Sequence, residues 1–266
     1  MAYLIVRELY EQQQLDPALD KRGKKVSTGK FDPLIFYCFF GILIGARLGH
    51  CIFYEPSYFL GSAKGVVEMF LPIRFAADSW NWHYTGYTGL ASHGGTLGLA
   101  LALWLYVRHT KVPMLTVLDN IAIAAPFTAF CIRMGNLMNS EIIGSRTDVP
   151  WAFIFHTREA LVDGQLVPRH PSQLYEALAY LLIFIIGYCI YRSNRHEGTR
   201  IKVGKGFYFG YCITTIFVFR FFIEFLKIVQ GGTDDGSTLL NMGQMLSIPF
   251  ILVGCWFLVK GLKKDA

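Results

Sequence analysis

The sequence predicts an all-α fold, a polytopic integral membrane helical bundle, and three observations predict it. Hydrophobic residues make up 53% of the 266 residues and charged residues 17%, with a mean hydropathy of +0.37, whereas a water-soluble globule carries about 25% charged residues. The apolar residues gather in runs of about twenty, the length a helix needs to cross a hydrocarbon layer about 30 Å thick. Within that layer the backbone must satisfy its own hydrogen bonds, so such runs become helices, while barrel strands would be nearer ten residues with alternating polarity. The composition also excludes disorder, collagen and coiled coil. Residues 1–266 read as a single transmembrane domain.

Six runs are long enough to span: 33–53, 86–107, 113–134, 174–191, 206–228 and 240–259. The opening residues MAYLIV resemble a further span cut short and count as the first. A cleavable signal peptide needs a basic start and then an apolar core, and the chain begins MAYLIVRELYEQQQ, so none is expected. Alternate connections carry 16 and 5 Lys and Arg. Basic residues are retained on the cytoplasmic side, so 7–32, 108–112, 192–205 and the C-terminal tail face inward. Segments 54–85 and 139–173 face outward. With SWNWHYTGY and SEIIGSRTDVPWAFIFHT, they are rich in aromatic, Pro and polar residues, as expected of folded lids or interfacial loops. The inward segment DPALDKRGKKVSTGK reads as a solvated loop, and no inverted repeat of the transporter kind is visible.

The net charge of +6 would suit nucleic acid. Most of those cations sit in short loops between apolar runs, however, so membrane orientation explains them and no nucleic-acid partner is expected. Cys38, Cys51, Cys131, Cys189, Cys212 and Cys255 all lie in or at the edge of apolar runs without CxxC spacing, and read as inert small apolar residues.

Ionisable residues inside spans cost about 2.5 to 3.5 kcal/mol each even on the mildest scale, and usually mark a function. Here they are Arg47, His50, His93, Asp119, Arg133, Arg220, Glu224 and Lys227. At a rise of about 1.5 Å per residue, Arg47 and Arg220 lie ~21 Å along outward-going helices, Arg133 lies ~30 Å along another, and His93 lies ~10 Å below the outer end of an inward-going one. Four groups on four helices thus converge on the outer half of the bilayer. Guanidiniums gathered there repel one another unless an anion sits among them, and phosphate matches their planar fork. Snorkelling or closed structural ion pairs are the alternative. Glu224, four residues after Arg220, is expected as its resting partner. His93 suits a general base, since an unperturbed imidazole titrates near 6.5; a hydrogen-bonded structural histidine is the alternative. Gly41, Gly45 and Gly49 form a packing stripe beside Arg47. Asp119 is expected as a structural partner or cap. Arg133 and Asn136 share a helical face, where the amide would bind glycerol hydroxyls or esters, or else cap the helix. PRHPSQLYE, with its two prolines, reads as a rigid structural turn.

ARLGH, SHGGTLG, RMGNLMNSEIIG, PRHPSQLYE, FRFFIEFLK and NMGQMLSIP, in this order, resemble the prolipoprotein diacylglyceryl transferases of bacterial inner membranes. The resemblance runs from about residue 33 to the last span. It implies a seven-helix enzyme of the bacterial cytoplasmic membrane that moves the diacylglyceryl group of phosphatidylglycerol onto the lipobox cysteine of a preprolipoprotein, leaving glycerol phosphate. This would be the first step of lipoprotein maturation, carried out toward the periplasmic half with the C-terminus cytoplasmic and membrane lipids around it. The family's HGG histidine falls on His93, its RxGN arginine and asparagine on Arg133 and Asn136, its NxE on Asn139 and Glu141, with Gly144 after it. The arginine and glutamate of its sixth helix fall on Arg220 and Glu224. His93, Arg133 and Arg220 are then the catalytic residues, and Arg47, Asn136, Asn139, Glu141, Gly144 and Glu224 bind substrate. Two departures are the short MAYLIV start, where the family has a complete first helix, and Lys227, where some relatives have an arginine that would grip a headgroup more directionally.

The reaction needs a thiolate, and a free thiol with a pKa near 8.5 is only a few per cent ionised at pH 7. His93 would take that proton, and Arg133 and Arg220 would stabilise charge collecting on the leaving phosphate. No metal or other cofactor is expected. An anion transporter would also gather intramembrane arginines, with broken helices at the midplane, and a noncatalytic scaffold would bind phosphatidylglycerol unchanged; both alternatives stay open on the sequence.

Overall fold

The computed structural model describes residues 2–13, 15, 29–76, 79–86, 89–157, 160–162, 164–194, 199, 201–227 and 240–263. They form two compact units, Tyr10–Met114 and the pair Met1–Leu9 with Leu115–Ala266. The first helix, α1 (Ala2–Gln12), contributes residues to each.

In the unit Tyr10–Met114, two long helices, α2 (Phe31–Phe53) and α5 (Ser92–Thr110), pack side by side. Glycine lets them touch backbone to backbone: a Cβ on Gly49 would sit 2.7 Å from Gly94 Cα, and one on Gly41 would sit 2.5 Å from Ala102 Cβ. The expected stripe is therefore a packing seam. The Ala91 amide donates to Ala46 O at 2.9 Å and ties the entry of α5 to α2.

Between these helices lie α3 (Pro56–Leu60), α4 (Ala63–Phe70) and an antiparallel hairpin of β1 (Ile73–Phe75) and β2 (Trp82–Tyr84), paired Ile73 to Tyr84. Ser62 caps α4 by accepting from the Gly65 amide at 3.0 Å. The all-α expectation thus fails in this connection, where the chain is short of apolar run and rich in aromatic residues that favour strand. The 86–107 run also departs from expectation. Gly86 and Gly89 adopt φ of +71° and +80°, a left-handed backbone open to glycine, and the helix starts only at Ser92.

The larger unit contains α6 (Met114–Met138), a short hairpin of β3 (Leu161–Val162) and β4 (Gln165–Leu166), α7 (Ser172–Asn194), α8 (Phe207–Ile223) and α9 (Met242–Leu262). A 3-10 turn, Glu224–Leu226, ends α8. Asp119 is the expected cap: its carboxylate, fully buried on α6, accepts from the amides of Gly204 at 2.8 Å, Gly206 at 2.9 Å and Phe209 at 2.9 Å. The Gly206 and Phe209 amides are among the orphan donors at the start of α8, and Gly204 belongs to the turn that leads into it. Helices α8 and α9 close on small residues, for a Cβ on Gly210 would sit 2.5 Å from Leu258 N.

Among the described residues five helices are long and apolar enough to cross a membrane: Phe31–Phe53, Met114–Met138, Ser172–Asn194, Phe207–Leu226 and Gly243–Leu262. The 19 residues of α5 fall outside that group because Ser92, His93 and Thr96 open the helix and Arg108 and His109 close it.

Candidate active site

Glu176 organises the charges of the larger unit. Near the start of α7 and fully buried, it receives Arg133 Nε at 3.1 Å on Oε2 and Lys227 Nζ at 3.2 Å on Oε1. Tyr180, one turn further along α7, donates to Oε1 at 3.2 Å. A carboxylate taken out of water is tolerated only when paired in this way. Lys227 Nζ also stands 3.5 Å from Glu224 Oε2.

From Arg133 the network continues toward the end of α6. Arg133 Nη1 donates to Asn136 Oδ1 at 3.3 Å, and Asn136 Nδ2 donates to Glu141 Oε2 at 2.8 Å. The shared helical face of Arg133 and Asn136 is thus real, and the amide links guanidinium to carboxylate. Glu141 is exposed, on a turn whose flanking residues Ser140 and Ile142 have φ of 55° and 57°. For a β-branched residue that conformation is strained and must be imposed by its surroundings. Ser172 Oγ donates to Ile142 O at 2.9 Å and Gln173 Nε2 donates to Glu141 O at 2.5 Å, so the start of α7 holds the turn. Asn139 is exposed just before it.

Gly144 differs from its expected role. Its amide donates to His170 O at 3.0 Å, its carbonyl accepts from Arg169 Nη1 at 3.4 Å, and a Cβ there would sit 2.9 Å from Leu226 O. With both backbone groups engaged, Gly144 is a spacer that lets the chain pass close beside Lys227, with which it forms a β-bridge. Arg169 is buried and spends Nε and Nη2 on Ala160 O, 3.3 Å away. Tyr175 accepts from Trp151 Nε1 at 2.7 Å and lies 3.3 Å from His170 Nδ1.

Arg220 is partly buried in the last turn of α8, where the α-helix ends at Ile223. It is therefore nearer a helix end than the 206–228 run implied. Its expected pairing with Glu224 is not formed among the described residues. Glu224 instead stands at ion-pair distance from Lys227, three residues on, across the 3-10 turn Glu224–Leu226. Gly243 packs against Glu224, since a Cβ there would sit 2.7 Å from the carboxyl carbon.

In the unit Tyr10–Met114, Arg47 also departs from expectation. Buried on α2, it donates through Nη2 to Glu68 O at 2.7 Å, through Nε to Met69 O at 3.3 Å and through Nη1 to Gly89 O at 3.4 Å, with Cζ 4.9 Å from the Phe59 ring centroid. Two of those carbonyls belong to the end of α4, where a cation is favoured. Arg47 is a clamp on backbone carbonyls in this structure, with its fork filled by them. The Glu68 side chain, buried beside it, accepts from Tyr58 OH at 2.6 Å and from the Phe75 amide at 2.7 Å. That hydrogen bond to a carboxylate, and then burial, raise the Tyr58 hydroxyl pKa above its ordinary value.

His50 packs its ring against Gly89 and sets Nε2 3.5 Å from Glu55 Oε1. His93 is exposed in the first turn of α5, so the depth of seven residues counted from Gly86 does not apply: Gly86, Gly89, Leu90 and Ala91 are not helical. Among the described residues no three His, Cys, Asp or Glu side chains form a metal-binding group.

Sequence reasoning missed Glu176. The signal is present, an acidic residue just inside an apolar run, but it stands in PRHPSQLYE, whose two prolines read as a structural turn. Arg133, Asn136 and Glu141, by contrast, come together as their spacing suggests.

Membrane-length helices threaded by a buried Arg, Glu and Lys network define a polytopic helical membrane protein with a charged site. The family description prolipoprotein diacylglyceryl transferase matches residues 1–260. A phosphatidylglycerol–prolipoprotein diacylglyceryl transferase of Bacteroides fragilis is 51% identical over 257 residues, covering 97% of this chain and 83% of its own. Relatives of the same name from Porphyromonas gingivalis and Tolumonas auensis are 39% identical (94% of this chain, 84% of theirs) and 36% identical (100% and 88%). The chain belongs to the prolipoprotein diacylglyceryl transferase family and is a transferase. The resemblance carried by the sequence motifs is thereby borne out.

Proposed function

We propose that this chain transfers the diacylglyceryl group of phosphatidylglycerol to the lipobox cysteine of preprolipoproteins, the first step of bacterial lipoprotein maturation. The observation that carries the site is Arg133, fixed on buried Glu176 at 3.1 Å, in a chain of this family that also keeps Arg220 partly buried near the end of α8. Arg133 and Arg220 hold the headgroup phosphate. The cysteine Sγ forms a bond to the glyceryl carbon, the carbon–oxygen bond to phosphate breaks, and glycerol phosphate leaves with the electron pair. His93 takes up the thiol proton. Arg133 and Arg220 stabilise the charge gathering on the leaving group, while Asn136, Asn139 and Glu141 address glycerol oxygens and Glu224 holds Lys227. Arg47 and Gly144 serve through the backbone they position.

In this reading residues 1–266 act as one catalytic domain in the bacterial inner membrane. It is a seven-helix bundle with α1 as its short first member and α5 among the spans, the site toward the periplasmic half and the C-terminus cytoplasmic. The distribution of Lys and Arg supports that orientation. Its partners are phosphatidylglycerol, a preprolipoprotein signal peptide with its lipobox cysteine, and the surrounding lipids.

The test is to incubate the purified protein with phosphatidylglycerol and a lipobox peptide and weigh the peptide. A gain of one diacylglyceryl group with release of glycerol phosphate is expected. An unchanged peptide would overturn the proposal, in favour of a scaffold if lipid still binds, or of a transporter if anions cross sealed vesicles.

A further inference from the structure

We infer that Glu176 is a positioning residue for the transfer reaction: it sets the orientation in which Arg133 meets the headgroup phosphate. This rests on the reading of Arg133 as a phosphate ligand. A guanidinium is a rigid planar fork, and here two of its three nitrogens are assigned. Nε faces Glu176 Oε2 at 3.1 Å and Nη1 faces Asn136 Oδ1 at 3.3 Å. Set between a buried carboxylate and an amide, with Tyr180 beside it, the guanidinium has little room to turn.

Glu176 is itself immobilised. It is fully buried, and its second oxygen is taken by Lys227 Nζ at 3.2 Å and Tyr180 OH at 3.2 Å. The carboxylate thus joins three parts of the chain: α6 through Arg133, α7 through its own backbone, and the end of α8 through Lys227. A group needed only to cancel charge would not need one oxygen shared by a lysine and a tyrosine while the other faces the arginine. An amide in its place would lose the charge and also turn an NH2 donor toward one of the two cations.

The test compares kcat and KM for phosphatidylglycerol, with a lipobox peptide as acceptor, in purified parent, Arg133→Ala, Glu176→Gln and the double variant Glu176→Gln/Lys227→Gln. Glu176→Gln is expected to lose at least about tenfold in kcat with KM within about twofold of the parent, the signature of an interaction that matters in the transition state. The double variant restores the local charge balance, and it is expected to stay as slow as Glu176→Gln. Parent-like kcat in Glu176→Gln while Arg133→Ala is inactive overturns this inference alone, and so does recovery of parent kcat in the double variant, which would make Glu176 a charge balancer. Parent-like kcat in Arg133→Ala overturns the phosphate reading itself. Should Glu176→Gln fail to accumulate as folded protein, Tyr180→Phe decides, since it removes a hydroxyl that touches both Glu176 and Arg133 and leaves both charges in place. A loss of about two- to fivefold in kcat at unchanged KM supports the inference, and parent kcat overturns it.

Discussion

Arg47 and Arg133 are both guanidiniums set in apolar helices, and their surroundings give them different work. Arg47 meets three backbone carbonyls, Arg133 a carboxylate and an amide. Lysine keeps the charge but has no planar fork, so Arg47→Lys is expected to lose about 1 kcal/mol for each carbonyl contact it fails to make. Thermal unfolding in detergent should show the lowered midpoint, with KM for phosphatidylglycerol near the parent; a raised KM at an unchanged midpoint would return Arg47 to the headgroup. For His93 the expectation is kinetic. His93→Gln should lose about 10²- to 10⁴-fold in rate near neutrality. The deficit should shrink as pH rises toward about 8.5, where the thiol ionises unaided. A deficit independent of pH would leave His93 a role in positioning only. An arginine inside an apolar run was legible as a special residue in both cases. What Arg47 pairs with was not, because backbone carbonyls have no residue code, and the carbonyls it uses depend on where α4 ends.

At the scale of elements, the long helices were legible because a run of about twenty apolar residues has few other solutions in lipid. Their ends were less so. Gly86 and Gly89 adopt left-handed φ and delay α5 to Ser92, and α8 tightens into a 3-10 turn at Glu224, whose carboxylate pairs with Lys227 and not with Arg220. Both hairpins, β1–β2 and β3–β4, went unread because two- and three-residue strands leave almost no period to detect. The turn at Ser140 to Ile142 depends on α7. Ser172 is fully buried and donates to Ile142 O at 2.9 Å. Ser172→Ala leaves that carbonyl without its donor, at a cost of about 1 to 3 kcal/mol, and frees a strained backbone beside Glu141. A lower thermal midpoint and a severalfold lower kcat are expected together, and a variant matching the parent in both would show that the turn holds itself.

Across the whole molecule, the site draws on residues far apart in sequence. The RMGNLMNSE stretch supplies Arg133, Asn136 and Glu141 within one turn of helix and its following turn, a neighbourhood that spacing alone makes visible. Glu176, Lys227 and Tyr180 join it from α7 and from the end of α8. Those contacts depend on tertiary packing, and a single sequence carries no pattern for them. The family relationship supplies the chemistry, and the structure adds a physical reason for one arginine to be aimed. The most direct measurement of the central claim is turnover by purified Arg133→Ala and Arg220→Ala enzymes, read as peptide mass gained and glycerol phosphate released. Each is expected to fall by about 10²- to 10³-fold, the usual cost of losing one donor to a developing anion, while both proteins still insert and unfold cooperatively. Parent-like turnover in both variants would contradict a phosphate held between these two side chains.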